Sequence, residues 1–425
     1  MTTTLATPVR VPVTISRRYL AAGTFIALGV ADIFVFGLFA HNGDASFALS
    51  LPGATPHLPA VRVPGAVTAY VLGVISIGLG IMRAVADASR RARRLSIAVA
   101  LLCFLLSMLC WADAGNRVGS LQVIDLLQGT LTASIPLVLG ALAGCLCERS
   151  GVINIAIEGQ LLFGAFTAAA VASAVGSVWL GLIAGSLAGG LLGVLLAIFA
   201  IMFLVDQIIV GVVLDVIALG LTNYLYNRVM SPYANTFNTG NTFGTIKIPV
   251  LGNIPIIGPV FFDSNIFLYI TYALILVIQI GLFRSRWGLR VRAVGEHPVA
   301  AETVGVRVLW NRYRNVILGG LVAGIGGAYL TVGSVGFFTS DISSGFGYIA
   351  LAAMIFGRWT PLGSVAAALL FGFSFQLQTE LSVLRVPVSS FILLMAPYLA
   401  TIIAVAGLVG RVRPPAADGK PYIKA

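Results

Sequence analysis

Residues 178–203 read VWLGLIAGSLAGGLLGVLLAIFAIMF. No charged side chain interrupts the stretch, and its one polar residue is Ser186. A bilayer core takes about 20 apolar residues wound as a helix, so this segment is long enough to cross. Gly181, Gly185, Gly189 and Gly193 repeat along it at every fourth position. Small residues at that spacing share a helix face and let two backbones approach closely in lipid. The stretch therefore predicts a membrane-spanning helix packed against another, and the same reasoning covers Gly320 and Gly324.

The rest of the chain has the same character. Of 425 residues, 58% are apolar and 10% are charged, and the mean hydropathy is +0.99. A soluble domain has about 25% charged residues and cannot bury this much apolar surface while keeping a wettable exterior. The composition excludes a cytosolic enzyme, a disordered protein and a secreted disulfide scaffold. The formal net charge is +11, carried by 26 Lys and Arg against 15 Asp and Glu. In a membrane protein this excess is a topology signal and not a nucleic-acid footprint. Cys103, Cys110, Cys145 and Cys147 lie in apolar runs with no metal-ligand spacing and read as small hydrophobes.

The fold class is all-α: a polytopic transmembrane helix bundle of about 12 spans (10 to 12). The candidate spans are 19–40, 64–83, 95–113, 130–147, 157–177, 178–203, 206–228, 265–283, 313–333, 345–357, 361–381 and 387–409. The helices near 150–158 and 345–357 read as broken or re-entrant. Arg10, Arg17 and Arg18 precede the first span with no small-residue cleavage site after it, which suggests a start-transfer helix. Basic residues cluster in three further places: Arg83 to Arg94, Arg284 to Arg314, and the tail from Arg411. With these inside, the chain is N-in and C-in, and only Arg62, Arg117, Arg228, Lys247 and Arg385 fall outside.

Two loops exceed what a connection needs. Residues 229–264, on the outer side, hold Pro232, Pro249, Pro255 and Pro259 and suit either a docking surface or a plain solvated loop. Residues 284–312, on the inner side, read RSRWGLRVRAVGEHPVAAETVGVRVLWNR over 284–312. Pro298 suits the first turn of a helix, so VAAETVGV after it predicts one short helix in a basic loop.

Ionisable residues within a bilayer cost about 2.5–3.5 kcal/mol or more, so each asks for a reason. Asn154 and Glu158 lie four apart, on one face if that stretch is helical. Asp206, Gln207, Asp215, Thr222 and Asn223 punctuate the next-but-one span, with Asp206 at its edge. Gln376 and Gln378 lie in the eleventh. The functional reading is a polar cavity for a hydrogen-bonding solute; the structural one is interhelical bonding. No P-loop, zincin or nucleophile-elbow motif occurs, and His41, His57 and His297 are scattered. Membrane metalloprotease and serine hydrolase readings therefore lack support.

Three stretches together resemble one family. ERSGVINIAIEGQLLFGAF (148–166), WGLRVRAVGEHPVAAETVGV (287–306) and GFGYIALAAMIFGRWTPLGSVAAALLFG (345–372) are similar to motifs of bacterial ABC-importer permeases. These are the permeases serving branched-chain amino acids, simple sugars and nucleosides. The tail GKPYIK (419–424) is similar to that of nucleoside-type members. The resemblance covers about 125–425. It implies a permease core over 125–410, a cytoplasmic coupling loop over 284–312 and a cytoplasmic tail over 411–425. Residues 1–124 are an extension with about three more spans.

What the resemblance implies is a multi-pass subunit in the bacterial inner (plasma) membrane. Its expected partners are cytoplasmic ABC ATPase subunits, a second and related permease, an extracytoplasmic substrate-binding protein and lipid, with no nucleic acid. The chain itself would hold no cofactor or metal, ATP and Mg belonging to the ATPase. By position, Gly295, Glu296, Pro298, Ala301, Glu302 and Gly305 would couple to the ATPase. Asn154, Glu158 and Gly159 would line translocation, and Asn223 joins them on the bottom-up argument alone. Nucleosides lead as solute, with ribose-like sugars and branched-chain amino acids as alternatives. An ion-coupled secondary transporter using Glu158, Asp206 and Asp215 is the reading from a different class.

Overall fold

In the computed structural model the described residues are 17–38, 43–50, 58–86, 89–115, 120–384, 386, 395 and 413–423. The twelfth expected span, 387–409, falls almost wholly outside them. The chain forms two compact units, one of residues 1–123 with 381–387 and one of residues 124–380 with 388–425.

Among its described residues the first unit holds the helices α1 (Arg17–Ala31), which continues as a π-turn over Asp32–Gly37, α2 (Gly65–Val85) and α3 (Arg90–Asp113). Gly29 and Gly73 let α1 and α2 touch, since a Cβ on Gly73 would stand 2.8 Å from the Gly29 carbonyl oxygen. Two short strands join β1 (Asp44–Ala48) to β2 (Val61–Pro64), and β3 (Leu121–Gln122) pairs with β1 in parallel. Periodicity of an apolar sequence does not reveal strands this brief.

The second unit opens with α4 (Val123–Glu148). It continues through α5 (Ile157–Val175), α6 (Val178–Ala197, with a π-turn to Met202) and α7 (Gln207–Leu225, with a π-turn to Met230). Short helices α8 (Ala234–Phe237) and α9 (Ile257–Phe262) flank strand β4 (Thr245–Lys247), which pairs with β5 (Asp263–Asn265). Then come α10 (Ile266–Arg284), α11 (Arg286–Glu296), α12 (Pro298–Thr303), α13 (Val308–Ala328, with a π-turn to Val335), α14 (Phe346–Phe356) and α15 (Pro361–Val383). Among the described residues nine helices are long and apolar enough to cross a membrane; Ala21–Gly37 and Phe346–Phe356 are shorter apolar ones. The chain is a multi-pass membrane protein of the all-α class.

The glycine reading holds. A Cβ on Gly189 would stand 2.5 Å from the Gly320 carbonyl oxygen and from Gly324 Cα, so α6 and α13 meet backbone to backbone. Gly164 of α5 closes on Gly324 in the same way. Helices α4 and α13 are the most deeply buried, while α7 and α10 expose apolar flanks such as Ile209, Val216, Leu276 and Val277. A surface so apolar is covered by lipid or by protein.

Loops expected on the same side of the membrane meet at the same end of the second unit. At one end the Arg149 guanidinium donates to the carbonyl oxygens of Trp359 (2.7 Å) and Arg358 (3.1 Å). There too Ala417 N–H in the tail donates to Gly295 O (2.8 Å). At the other end Asn238 and Phe338 exchange two hydrogen bonds of 3.0 and 2.7 Å. Asn265 Nδ2 donates to Gly333 O at 2.5 Å there, and Thr239 N–H donates to Ser173 Oγ at 3.0 Å. The long loop is thus tied to neighbouring helix ends through Asn238 and Thr239, while most of its side chains stay exposed.

Candidate functional site

Two breaks in helical structure meet near the middle of the second unit. After α4 ends at Glu148, residues 149–156 are non-helical and α5 begins only at Ile157. After the α13 π-turn ends at Val335, a non-helical return leads to α14 at Phe346. The 11 residues of α14 span roughly 16 Å at about 1.5 Å per residue, half of a hydrocarbon core. Its far end at Arg358 and Trp359 meets Arg149, and at that length its near end would fall within the hydrocarbon core. Non-helical backbone is tolerated there only when protein or a polar cavity satisfies it.

Glu158 satisfies this one. Its carboxylate accepts from Gly345 N–H (2.9 Å), Gly347 N–H (2.6 Å) and Ser343 Oγ (2.6 Å). Those amides open α14, where an anion also meets the positive end of the helix dipole. Gly345 has φ +83, the left-handed conformation in which glycine carries no Cβ penalty, and this turns the amides toward the carboxylate. Gly347 has no Cβ to collide with the Glu158 backbone. Glu158 therefore joins α5 to the broken helix.

Asp215, from the middle of α7, completes the cluster. It accepts from Gly159 N–H (2.7 Å) and Tyr348 Oη (3.1 Å), and is buried. Asn154 is buried in the extended stretch, so it does not share a helix face with Glu158. Its Nδ2 donates to Gln160 Oε1 (3.1 Å) and contacts Cys147 Sγ (3.4 Å), while its Oδ1 has no partner among the described residues. Gln207, at the start of α7, accepts from Ile153 N–H (2.8 Å). The structure thus joins Glu158 and Gly159 to Ser343, Asp215 and Tyr348, while Asn154 pairs instead with Gln160 and Cys147. Asn223 lies two helical turns beyond Asp215 on α7, with Oδ1 buried and unpartnered. Asp206 caps α7 through Ile208 N–H (2.9 Å) and is exposed, as its edge position suggested.

The inner loop folds as two helices where the sequence suggested one. Helix α11 ends at Glu296 and α12 begins at Pro298, with His297 alone between them. Pro298 occupies the first turn as expected, but the helix stops at Thr303 and Gly305 turns with φ +84. Gly295 packs against the Arg149 carbonyl, Ala301 is buried, and Glu302 accepts from Tyr422 Oη of the tail. Glu296 accepts from Ala416 N–H (3.2 Å). Val299 and Val304 remain open at 59% and 79% exposure, as a docking surface requires.

The tail brings Asp418 against Glu148, and the two carboxyls share a hydrogen bond, which requires a proton on one of them. Burial pushes the Asp418 carboxyl up to about 7, against the pull of the Glu148 hydrogen bond, of the Gly419 N–H and of Arg312. Burial also lowers the Arg149 guanidinium, with Glu296 acting against that shift.

The family profile described as branched-chain amino acid transport system / permease component matches residues 126–408. The chain is 40% identical over 313 residues to the guanosine ABC transporter permease protein NupQ of Bacillus subtilis, covering 71% of this chain and 98% of that one. It is 36% identical over 323 residues to the nucleoside ABC transporter permease protein NupC of Lactococcus lactis, covering 73% and 99%. A putative glucose ABC transporter permease of Haloferax volcanii is 33% identical over 251 residues, covering 58% and 74%. No solved structure matches the chain significantly.

Proposed function

The chain belongs to the branched-chain amino acid transport system permease component family, and from that premise we propose that it carries nucleosides inward as the membrane-spanning subunit of an ATP-driven importer. It is a transport component and not an enzyme. The observation that carries the solute is the match over nearly the whole length of two relatives named for guanosine and nucleosides. The site agrees with it. Asparagine, glutamine and tyrosine groups suit hydroxyls and ring nitrogens. Both buried carboxylates of the site are already held by amide and hydroxyl donors, which leaves neither as a ready partner for a substrate ammonium.

Cytoplasmic ATPase subunits would bind ATP and Mg and press on α11 and α12. A related second permease would face the exposed flank of α7 or α10. A binding protein would deliver solute to the long loop over 229–265. The bacterial inner membrane is the compartment this requires. Asn154, Glu158 and Gly159 would shape the route within the hydrocarbon core, with Asn223 further along it.

The test is labelled-nucleoside uptake in cells with and without the gene, competed with unlabelled nucleosides, ribose and leucine and repeated after ATP depletion. ATP-dependent uptake lost on deletion and blocked by nucleosides alone is the expected result. Unchanged nucleoside uptake would move the assignment to a sugar. Gene-dependent uptake that survives ATP depletion would overturn the importer class.

A further inference from the structure

Helix α12 cannot stand by itself. It has six residues, and isolated helices shorter than about 12 residues are marginal even with favourable composition. His297 alone separates it from α11 along the chain. Its one buried side chain, Ala301, enters a small apolar cluster with Val294 of α11, Val308 of α13 and Tyr422 of the tail. A segment meant to pass on force needs a rigid support behind it, and within 284–307 the contact with α11 around Val294 offers only a narrow one.

The tail broadens it. Ala417 N–H donates to Gly295 O at 2.8 Å and Ala416 N–H to Glu296 Oε2 at 3.2 Å, which fixes the end of α11. The buried Tyr422 ring fills the apolar cluster while its hydroxyl donates to Glu302 on α12. The base of α13 grips the same segment: Arg312 is buried, donates to Lys420 O at 2.9 Å and lies 5.9 Å from the Tyr422 ring centre. Three helices thus converge on eight residues of tail.

We propose that residues 415–422 brace the inner loop, with Tyr422 as the positioning residue that locks α12 to the base of α13, so that a push on α12 moves α13 and does not merely tilt α12. The proposal rests on the reading of 284–312 as the loop a partner ATPase grips. The exposed Val299 and Val304 are left free for that partner, whereas Ala301 and Glu302 face the brace.

The experiment uses the full transporter in proteoliposomes with wild-type chain, Tyr422→Ala, Tyr422→Phe and Val304→Arg. Amide exchange over 298–306 is measured alongside uptake and solute-stimulated ATP hydrolysis. Tyr422→Ala should speed exchange in α12 by about tenfold, the value of one hydrogen bond to a charged group. It should lower uptake per ATP hydrolysed while the ATPase stays bound. Tyr422→Phe keeps the ring, so it should lie between Tyr422→Ala and wild type. Wild-type exchange in Tyr422→Ala would overturn the brace. So would faster exchange with unchanged uptake per ATP. Val304→Arg tests the underlying reading separately: if it leaves uptake intact, 284–312 is not the coupling loop, whatever the exchange shows.

Discussion

Glu158 accepts three hydrogen bonds, two from backbone amides and one from a hydroxyl. Hydrogen bonds to a charged group contribute about 1.5–3 kcal/mol each, and leaving buried donors unpaired costs more than removing both partners. Glu158→Ala leaves Gly345 N–H, Gly347 N–H and Ser343 Oγ without their acceptor. The expected result is a loss of at least about 3 kcal/mol, read as a large drop in thermal unfolding temperature in detergent and loss of uptake. Glu158→Gln keeps one oxygen acceptor and should cost about half as much. Ser343→Ala removes one donor only and should cost about 1 kcal/mol. Equal stability of all three would mean that the carboxylate does not hold α14. The sequence made part of this legible. Asn154, Glu158 and Gly159 stood out because polar residues in apolar runs demand partners. Ser343 and Tyr348 did not, since a serine or tyrosine near a helix end raises no such demand, and contacts spanning 185 residues leave no local pattern.

Elements that are wholly apolar carry their instructions in small residues. Gly189→Ala should force α6 away from Gly320 and Gly324, at about 1–3 kcal/mol for overpacking. Gly220 on α7 has nothing within 4 Å of its missing Cβ, so Gly220→Ala should be neutral or stabilising by about 1 kcal/mol. Unfolding temperatures of the two variants give the comparison, and equal effects would contradict the close α6–α13 contact. The fourfold glycine spacing was readable because helix geometry puts i and i+4 on one face. The end of α12 was not. Val304 and Gly305 continue the apolar pattern of VAAETVGV, yet the left-handed Gly305 turns the chain into α13. The split of α11 from α12 also went unread, because His297 carries no breaker signal beyond the proline that follows it.

The tail adds a pH dependence at the same scale. Burial pushes the docked Asp418 carboxyl, which shares a proton with Glu148, up to about 7 from the 3.8 of a free aspartate. Between those values the docked tail holds a proton that the undocked tail has released, so docking weakens as pH rises through this window and is strongest below it. Each pH unit is worth at most about 1.4 kcal/mol for one group. Amide protection over 415–422, taken relative to the intrinsic base-catalysed exchange rate at each pH, should therefore be lower at pH 8 than at pH 6. Asp418→Asn cannot ionise and should flatten the profile; a profile that persists in that variant would assign the proton to another group.

At the scale of the molecule, the arrangement of loops tests the orientation. The distribution of basic residues assigns each loop a side. The second unit then groups Arg149, the end of α11, 358–359 and the tail at one end, and 238–239 with Asn265, Gly333 and Phe338 at the other. Had one span been miscounted, every later loop would have changed sides and these groups would have mixed. Grouping fixes which loops share a side, and the positive-inside rule says which side is cytoplasmic. Accessibility can check both. Cys103, Cys110, Cys145 and Cys147 are free and buried, so the background for a thiol reagent is low. Val250 and Val304 are exposed at 78% and 79%, in the expected outer and inner loops. With a membrane-impermeant maleimide, Val250→Cys should label in intact spheroplasts and Val304→Cys only in inverted vesicles. Labelling of both from one side would break the span count, and the reverse pattern would invert the molecule. The second outcome would place α11 and α12 away from any cytoplasmic ATPase, so it would remove the energy source on which inward transport depends.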